Sequence, residues 1–112
     1  MVDRVRIPTE AECENTIIQT AKQFGWLVHG ERPAYRQSGK FSNAIKGHVG
    51  WPDLVLMRPP QLLVIELKRP PNRTTPQQDR WLDAFRACGI DAEVIYVPDE
   101  MQQLCQMLAT RP

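Results

Sequence analysis

The sequence predicts an α/β fold in which one four-stranded sheet is flanked by helices, in the order αβββαβα. Three observations predict it. Two apolar runs of strand length are joined by a proline-rich turn, two amphipathic segments each begin with a helix-capping pattern, and short apolar runs lie at 26–29 and 93–97. At 112 residues the chain is near the usual size of one hydrophobic core, so we expect a single domain over residues 1–112.

The first helix is predicted to begin after Thr9, because Thr9 and Glu12 match a capping box, and to end near Gly25. The strand at 26–29 follows, with His29 expected in the core. Residues 30–49 then show little periodicity and carry interleaved basic and aromatic side chains. This composition is typical of a loop that grips a nucleic-acid backbone, and equally of a segment that lacks fixed structure without a ligand.

The second and third strands are predicted to form a hairpin. The apolar runs 54–57 and 62–65 are separated by four residues that include two prolines, which favours a turn. If the turn is centred between those prolines, Met57 pairs with Leu62. Both alternating sets of side chains are apolar, so the hairpin should be buried on both faces.

Three charged residues lie at the open end of this hairpin. Counting outward places Asp53 opposite Glu66, and such residues have Cβ atoms about 4.5–5.5 Å apart. Two carboxylates so close repel each other, and a divalent metal ion is the obvious compensating cation. Lys68 lies two positions after Glu66 and therefore on the same face. Each residue alone fits a turn or a solvated strand end, but together they predict a metal site.

The second helix is predicted to begin after Thr75, with Gln78 completing a capping box and Gly89 ending the helix. Two interpretations of Gln78 stay open: it only caps the helix, or its amide points inward to Glu66 or a bound phosphate. The fourth strand is expected at 93–97. A final capped helix is expected at 99–109, with Asp99 at its start.

Three cysteines, widely spaced and without a Cys-x-x-Cys motif, indicate neither disulfides nor a zinc site. Each falls on an apolar helical stripe, so Cys13, Cys88 and Cys105 are predicted to be core thiols. The sequence has no apolar stretch long enough for a membrane helix and no signal-peptide pattern, which predicts a cytoplasmic protein.

The charge distribution is uneven although the net charge is only +1. Between residues 32 and 73 there are eight bases and two acids, a net charge of +6, and the two acids are Asp53 and Glu66. A basic region around a metal site suits a nucleic-acid substrate, although basic loops also serve solubility. The candidate phosphate-contacting residues are Arg36, Lys40, Lys46, Arg69 and Arg73, with His48 as a weaker candidate.

Glu14 is a further candidate because it shares the apolar face of the first helix, and a carboxylate on a buried face needs a partner. The alternative is that it lies near the exposed start of the helix.

The ordered motifs Gly50-Trp51-Pro52-Asp53, Glu66-Leu67-Lys68 and the stretch 75–81 resemble the VRR-NUC family of the PD-(D/E)XK nuclease superfamily, over about residues 10–97. The resemblance implies a restriction-endonuclease-like fold with a central mixed four-stranded sheet. It also implies a Mg²⁺- or Mn²⁺-dependent nuclease, often homodimeric in small members.

Carried over by position, the resemblance makes Asp53 and Glu66 metal ligands together with the main-chain carbonyl of Leu67. Lys68 would lie beside the attacking water, and Gln78 matches the glutamine of the family's helix motif. The first helix of the family supplies an acidic or amide side chain, for which Glu14 is the first choice and Glu10 the second.

These features predict an endonuclease that cleaves DNA in a structure-dependent way and has no organic cofactor. Two alternatives stay open. One is a Holliday-junction resolvase acting as a dimer, and the other is a catalytically silent nucleic-acid-binding or assembly subunit.

Overall fold

The computed structural model describes residues 6–31 and 46–111. Its elements are α1 Glu10–Gln23, β1 Leu27–Gly30, β2 Leu54–Arg58, β3 Gln61–Lys68, α2 Pro76–Ala87, β4 Asp91–Tyr96 and α3 Met101–Ala109. The order αβββαβα is the predicted one. None of the helices in these two stretches is both long and apolar enough to cross a membrane.

The four strands form one mixed sheet in the order β1-β2-β3-β4. The first two pairings are antiparallel, and β3 and β4 are parallel. Met57 pairs with Leu62, which confirms the predicted hairpin register, and the last pair of that ladder is Leu54 with Ile65. Asp53 therefore lies one position beyond the ladder, level with Glu66.

Helices cover both faces of the sheet. One face contributes Leu56 and Ile65 to a core shared with Ile17 of α1 and Leu108 of α3. The opposite face, hereafter the α2 face, contributes Val64 to a smaller core with Leu82 and Ala92. Because side chains alternate along a strand, Glu66 and Lys68 follow Val64 onto the α2 face.

Both predicted capping boxes are present, at Thr9 with Glu12 and at Thr75 with Gln78. The predicted start of the last helix was wrong. Glu100, not Asp99, is the N-cap residue of α3 and makes no side-chain cap bond. The carboxylate of Glu100 instead accepts a hydrogen bond from the backbone N–H of Tyr96 at 2.7 Å.

Two predicted core residues lie at the surface. The side chain of His29 is 64% exposed, because β1 is an edge strand and α2 packs against β4 at the other edge. Cys88 is exposed because it is the C-cap residue of α2, past the last apolar turn. Cys13 is buried as predicted, and Cys105 is partly buried.

Arg58 fastens the hairpin to the ends of two helices. Its guanidinium donates hydrogen bonds to the carbonyls of Phe24, Leu108 and Thr110 and lies 4.5 Å from the centre of the Trp26 ring. Arg58 ends β2 and so lies at the end of the sheet remote from the carboxylates. This member of the basic segment is structural and does not surround the site.

Candidate active site

The site begins with Asp53, which directly precedes β2. Its Oδ2 atom accepts a hydrogen bond from the backbone N–H of Leu67 at 2.8 Å. The β2–β3 ladder has already ended at this level, so the carboxylate replaces a missing backbone acceptor. This bond fixes Asp53 against β3, beside the neighbouring Glu66.

Glu66 is 2% exposed and is the most buried charged residue in the described part of the chain. Its Oε2 atom accepts a hydrogen bond from Gln78 Nε2 at 3.2 Å and lies 3.5 Å from Lys68 Nζ. Its Oε1 atom is also buried, and no described residue donates a hydrogen bond to it. A buried oxygen without a donor is costly, and a bound cation would offset that cost.

Gln78 does both things that the sequence left open: it caps α2 and it contacts Glu66. Its backbone N–H donates to Thr75 Oγ1 and its Oε1 accepts from the Thr75 N–H, which completes the capping box. Its Nε2 meanwhile donates to Glu66. One amide side chain thus both caps α2 and orients a buried carboxylate.

The pKa of Glu66 is raised to about 8, and burial is the largest cause. The negative charge of the adjacent Asp53 contributes to this rise, whereas the Lys68 ammonium lowers the pKa. Because the pKa remains high although Lys68 is close, its ammonium only partly offsets the cost of two adjacent carboxylates.

The donors here fit a hard divalent cation. Asp53 and Glu66 supply carboxylate oxygens. The backbone N–H of Leu67 donates to Asp53. Because the N–H and C=O groups of a residue paired in an antiparallel ladder point to the same neighbour, the Leu67 carbonyl lies on that side of β3 too. Within residues 6–31 and 46–111 no three His, Cys, Asp or Glu side chains form a metal-binding group. Mg²⁺ is commonly bound by one or two carboxylates, with waters and other oxygens such as a main-chain carbonyl as the remaining ligands.

The segment that carries Asp53 is packed onto the start of α2. Gly50 has φ of +103°, and a Cβ atom there would lie 2.6 Å from the backbone carbon of Gln77. The indole Nε1 of Trp81 donates to the Val49 carbonyl at 3.0 Å. Only a glycine fits this position, both for its conformation and for its closeness to α2.

The VRR-NUC domain family matches residues 10–99, which is most of the chain. The protein belongs to the VRR-NUC family. A solved structure described as a VRR_NUC domain matches with a TM-score of 0.61 and 21% sequence identity, covering 87% of this chain and 94% of that one. No match was found among curated proteins.

Membership makes this a nuclease-family domain and confirms the predicted resemblance. The structural match supports the fold, a mixed four-stranded sheet with flanking helices. It follows that the cluster of Asp53, Glu66, Lys68 and Gln78 lies in a nuclease framework.

The structure does not bring every predicted residue of this VRR-NUC domain together. Glu14 is 8% exposed, so its predicted burial is confirmed. However, its helix packs on the face opposite α2, and it does not join Asp53 and Glu66 in a three-carboxylate group among the described residues. Glu10 lies at the start of α1 and is partly buried.

The predicted phosphate-contacting residues differ in their exposure. Lys46, His48 and Arg73 are exposed, and Arg69 is partly buried. Burial raises the pKa of the Cys13 thiol, and the positive charge of Arg69 opposes that rise. Arg36 and Lys40 lie outside the described residues.

The sequence motifs assigned no role to Trp51. Trp51 packs against Trp81 and Phe85, with ring centres 5.1 and 5.6 Å apart. The available signal was an aromatic residue inside the Gly-x-Pro-Asp motif, but a motif does not show which helix the ring meets.

Proposed function

We propose that this VRR-NUC protein is a divalent-metal-dependent endonuclease that hydrolyses phosphodiester bonds in DNA. The observation that carries the proposal is the buried carboxylate of Glu66. One of its oxygens has no donor among the described residues, and it lies beside Asp53 and Lys68 at the end of the sheet. Such a cluster is costly unless it binds a cation.

Asp53, Glu66 and the carbonyl of Leu67 would hold Mg²⁺ or Mn²⁺. When bound, the ion polarises the scissile phosphate and lowers the pKa of a bound water. Asp53 is oriented for this task by the Leu67 N–H, and Glu66 by Gln78. Because both orienting groups belong to regular elements, the ligand oxygens are set before the ion arrives.

Lys68 would act on the attacking water or on the charge that develops on the phosphate. Its side chain is 14% exposed, and its ammonium lies 3.5 Å from Glu66 Oε2. A cation held in a site with little water stabilises negative charge more strongly than a solvated one does. Gln78 acts through Glu66, as a positioning residue. Glu14, or Glu10 as the second choice, would add an acidic group from α1.

The substrate would approach across basic side chains near the site. Lys46, Arg69 and Arg73 are the candidates within the described chain, and Arg36 and Lys40 extend the set by sequence. Lys and Arg neutralise phosphates without reading bases, so we propose structure-dependent cleavage of DNA. A homodimer with two sites would suit a branched substrate.

The test is cleavage of a panel of labelled DNAs: duplex, single-stranded, flap and four-way junction, each with Mg²⁺, Mn²⁺ or EDTA. Asp53→Asn and Glu66→Gln are the matched controls, since each removes one charge and keeps the side-chain shape. We expect cleavage by wild type that EDTA and both variants abolish.

The panel also separates the alternatives. Paired symmetrical cuts of the junction by a dimer would assign the resolvase activity. DNA binding without cleavage in any metal would replace the nuclease with the silent binding subunit.

A further inference from the structure

Trp51 presents a large aromatic ring to solvent beside the site. It is 41% exposed, although it contacts two aromatic rings of α2. Its plane makes angles of 78° with Trp81 and 71° with Phe85, so neither ring stacks parallel to it. An exposed indole leaves apolar area in water that a flat ligand could cover.

The ring is carried by a fixed segment. Val49 on one side accepts the hydrogen bond from Trp81, and Gly50 lies against the backbone of Gln77. On the other side Pro52 is fully buried. Since both flanks are held, Trp51 is presented in one place, and a ligand that stacks on it need not order the backbone.

The ring is also close to the carboxylates. Trp51 precedes Asp53 by two residues, and it contacts Trp81, which lies about one helical turn, roughly 5 Å, beyond Gln78. Gln78 in turn bonds Glu66. Trp51 is thus linked to both carboxylates through neighbouring residues, so a strand with a phosphate at the carboxylates would pass beside the ring.

We propose that Trp51 is a stacking subsite for an unpaired nucleobase next to the scissile phosphate. Bases in an intact duplex are already stacked on both sides, whereas those in a single strand, flap or branch offer a free π-face. The inference rests on the proposed nuclease function and deepens it, because it requires an unpaired nucleotide at the cleavage position.

The experiment measures binding in EDTA, where no cleavage occurs, of a labelled single strand and a blunt duplex of the same length. Trp51→Leu removes the π-system and keeps apolar packing, while Trp51→Phe keeps a smaller aromatic face. Met57→Ala is the matched control, since Met57 is 40% exposed and lies four residues from Asp53 along β2, about 13 Å away.

We expect Trp51→Leu to weaken single-strand binding by about 5- to 100-fold and duplex binding by less than about twofold, because stacking on a protein aromatic contributes this much per base. Trp51→Phe should retain most of the affinity, and Met57→Ala all of it. On a wholly abasic strand, wild type and Trp51→Leu should bind equally. Wild type alone can also be compared on natural and abasic strands, so the test does not require that Trp51→Leu folds normally.

Equal losses on single strand and duplex would overturn the proposal, as would a wild type that binds abasic and natural strands alike. Both results would mean that Trp51 only anchors the Asp53 segment. Failure of the nuclease proposal is a separate result, since it appears as absent cleavage in Mg²⁺ while the EDTA comparison is unaffected. Conversely, cleavage by wild type with unchanged binding by Trp51→Leu would refute only the subsite.

Discussion

Replacing Glu66 with Gln should make the metal-free protein more stable at alkaline pH. The pKa of Glu66 is raised to about 8 in the folded protein, against 4.5 for the ordinary group. Between these values the folded protein holds a proton that the unfolded chain has released. Stability therefore falls as pH rises through this window, by the linkage between proton binding and folding.

The size of the effect follows from the same two pKa values. Each unit of difference corresponds to about 1.4 kcal/mol, so the free energy of unfolding should fall by about 3 kcal/mol between pH 5 and pH 8. For a domain of this size that is on the order of 10 °C in Tm. A glutamine at position 66 cannot ionise, and its amide can still accept from Gln78 and donate to Asp53.

The assay is chemical denaturation in EDTA at several pH values from 5 to 8, followed by tryptophan fluorescence. All other side chains are the same in both proteins, so the difference between wild type and Glu66→Gln isolates position 66. Mn²⁺ should then stabilise wild type at pH 8 more than at pH 5.5, because binding requires the carboxylate. A difference that stays constant from pH 5 to 8 would refute the reasoning.

Three further predictions concern neighbouring side chains. Lys68→Ala should keep DNA affinity and lower single-turnover cleavage by about 10² or more, with partial rescue at best by Lys68→Arg, measured at saturating enzyme. Gln78→Ala should destabilise the protein by about 1 kcal/mol through the lost cap and weaken Mn²⁺ affinity about 10-fold or more through Glu66, measured by denaturation and calorimetry. A Thr75→Ala control should show the first effect without the second. Arg58→Met should lower stability by about 2–3 kcal/mol in denaturation and leave the Mn²⁺ affinity unchanged, because Arg58 lies at the other end of the sheet.

The hairpin could be predicted from sequence because its signals are local. Two apolar runs and a four-residue turn determine the pairing of Met57 with Leu62, and that pairing brings Asp53 level with Glu66. The capping boxes are equally local, since each involves residues three apart. The hairpin and the start of α2 carry most of the candidate site, so the closeness of Asp53 and Glu66 could be predicted from the sequence.

Other features depend on which element covers which face, and sequence patterns do not contain this information. His29 alternates correctly for a buried strand, but its strand lies at the edge remote from α2. Glu14 fits the buried face of α1, yet the spacing along a helix does not give its distance to the sheet. Trp51 shows the same limit, because its role depends on packing against α2.

The charge balance of the site explains why a cation and a substrate would bind together. Asp53 and Glu66 with Lys68 carry a formal charge of −1 when both carboxyls are ionised, so a phosphodiester would be repelled. A divalent ion changes this to +1, and the same site then attracts the phosphate. The fold holds the two carboxylates together through α2, whose first turn contacts Gly50, in the segment that leads to Asp53, and Glu66 of β3. The repulsion that destabilises the metal-free protein is therefore also what favours uptake of the ion, and the gain in stability on binding should be largest where the Glu66 carboxyl has lost its proton.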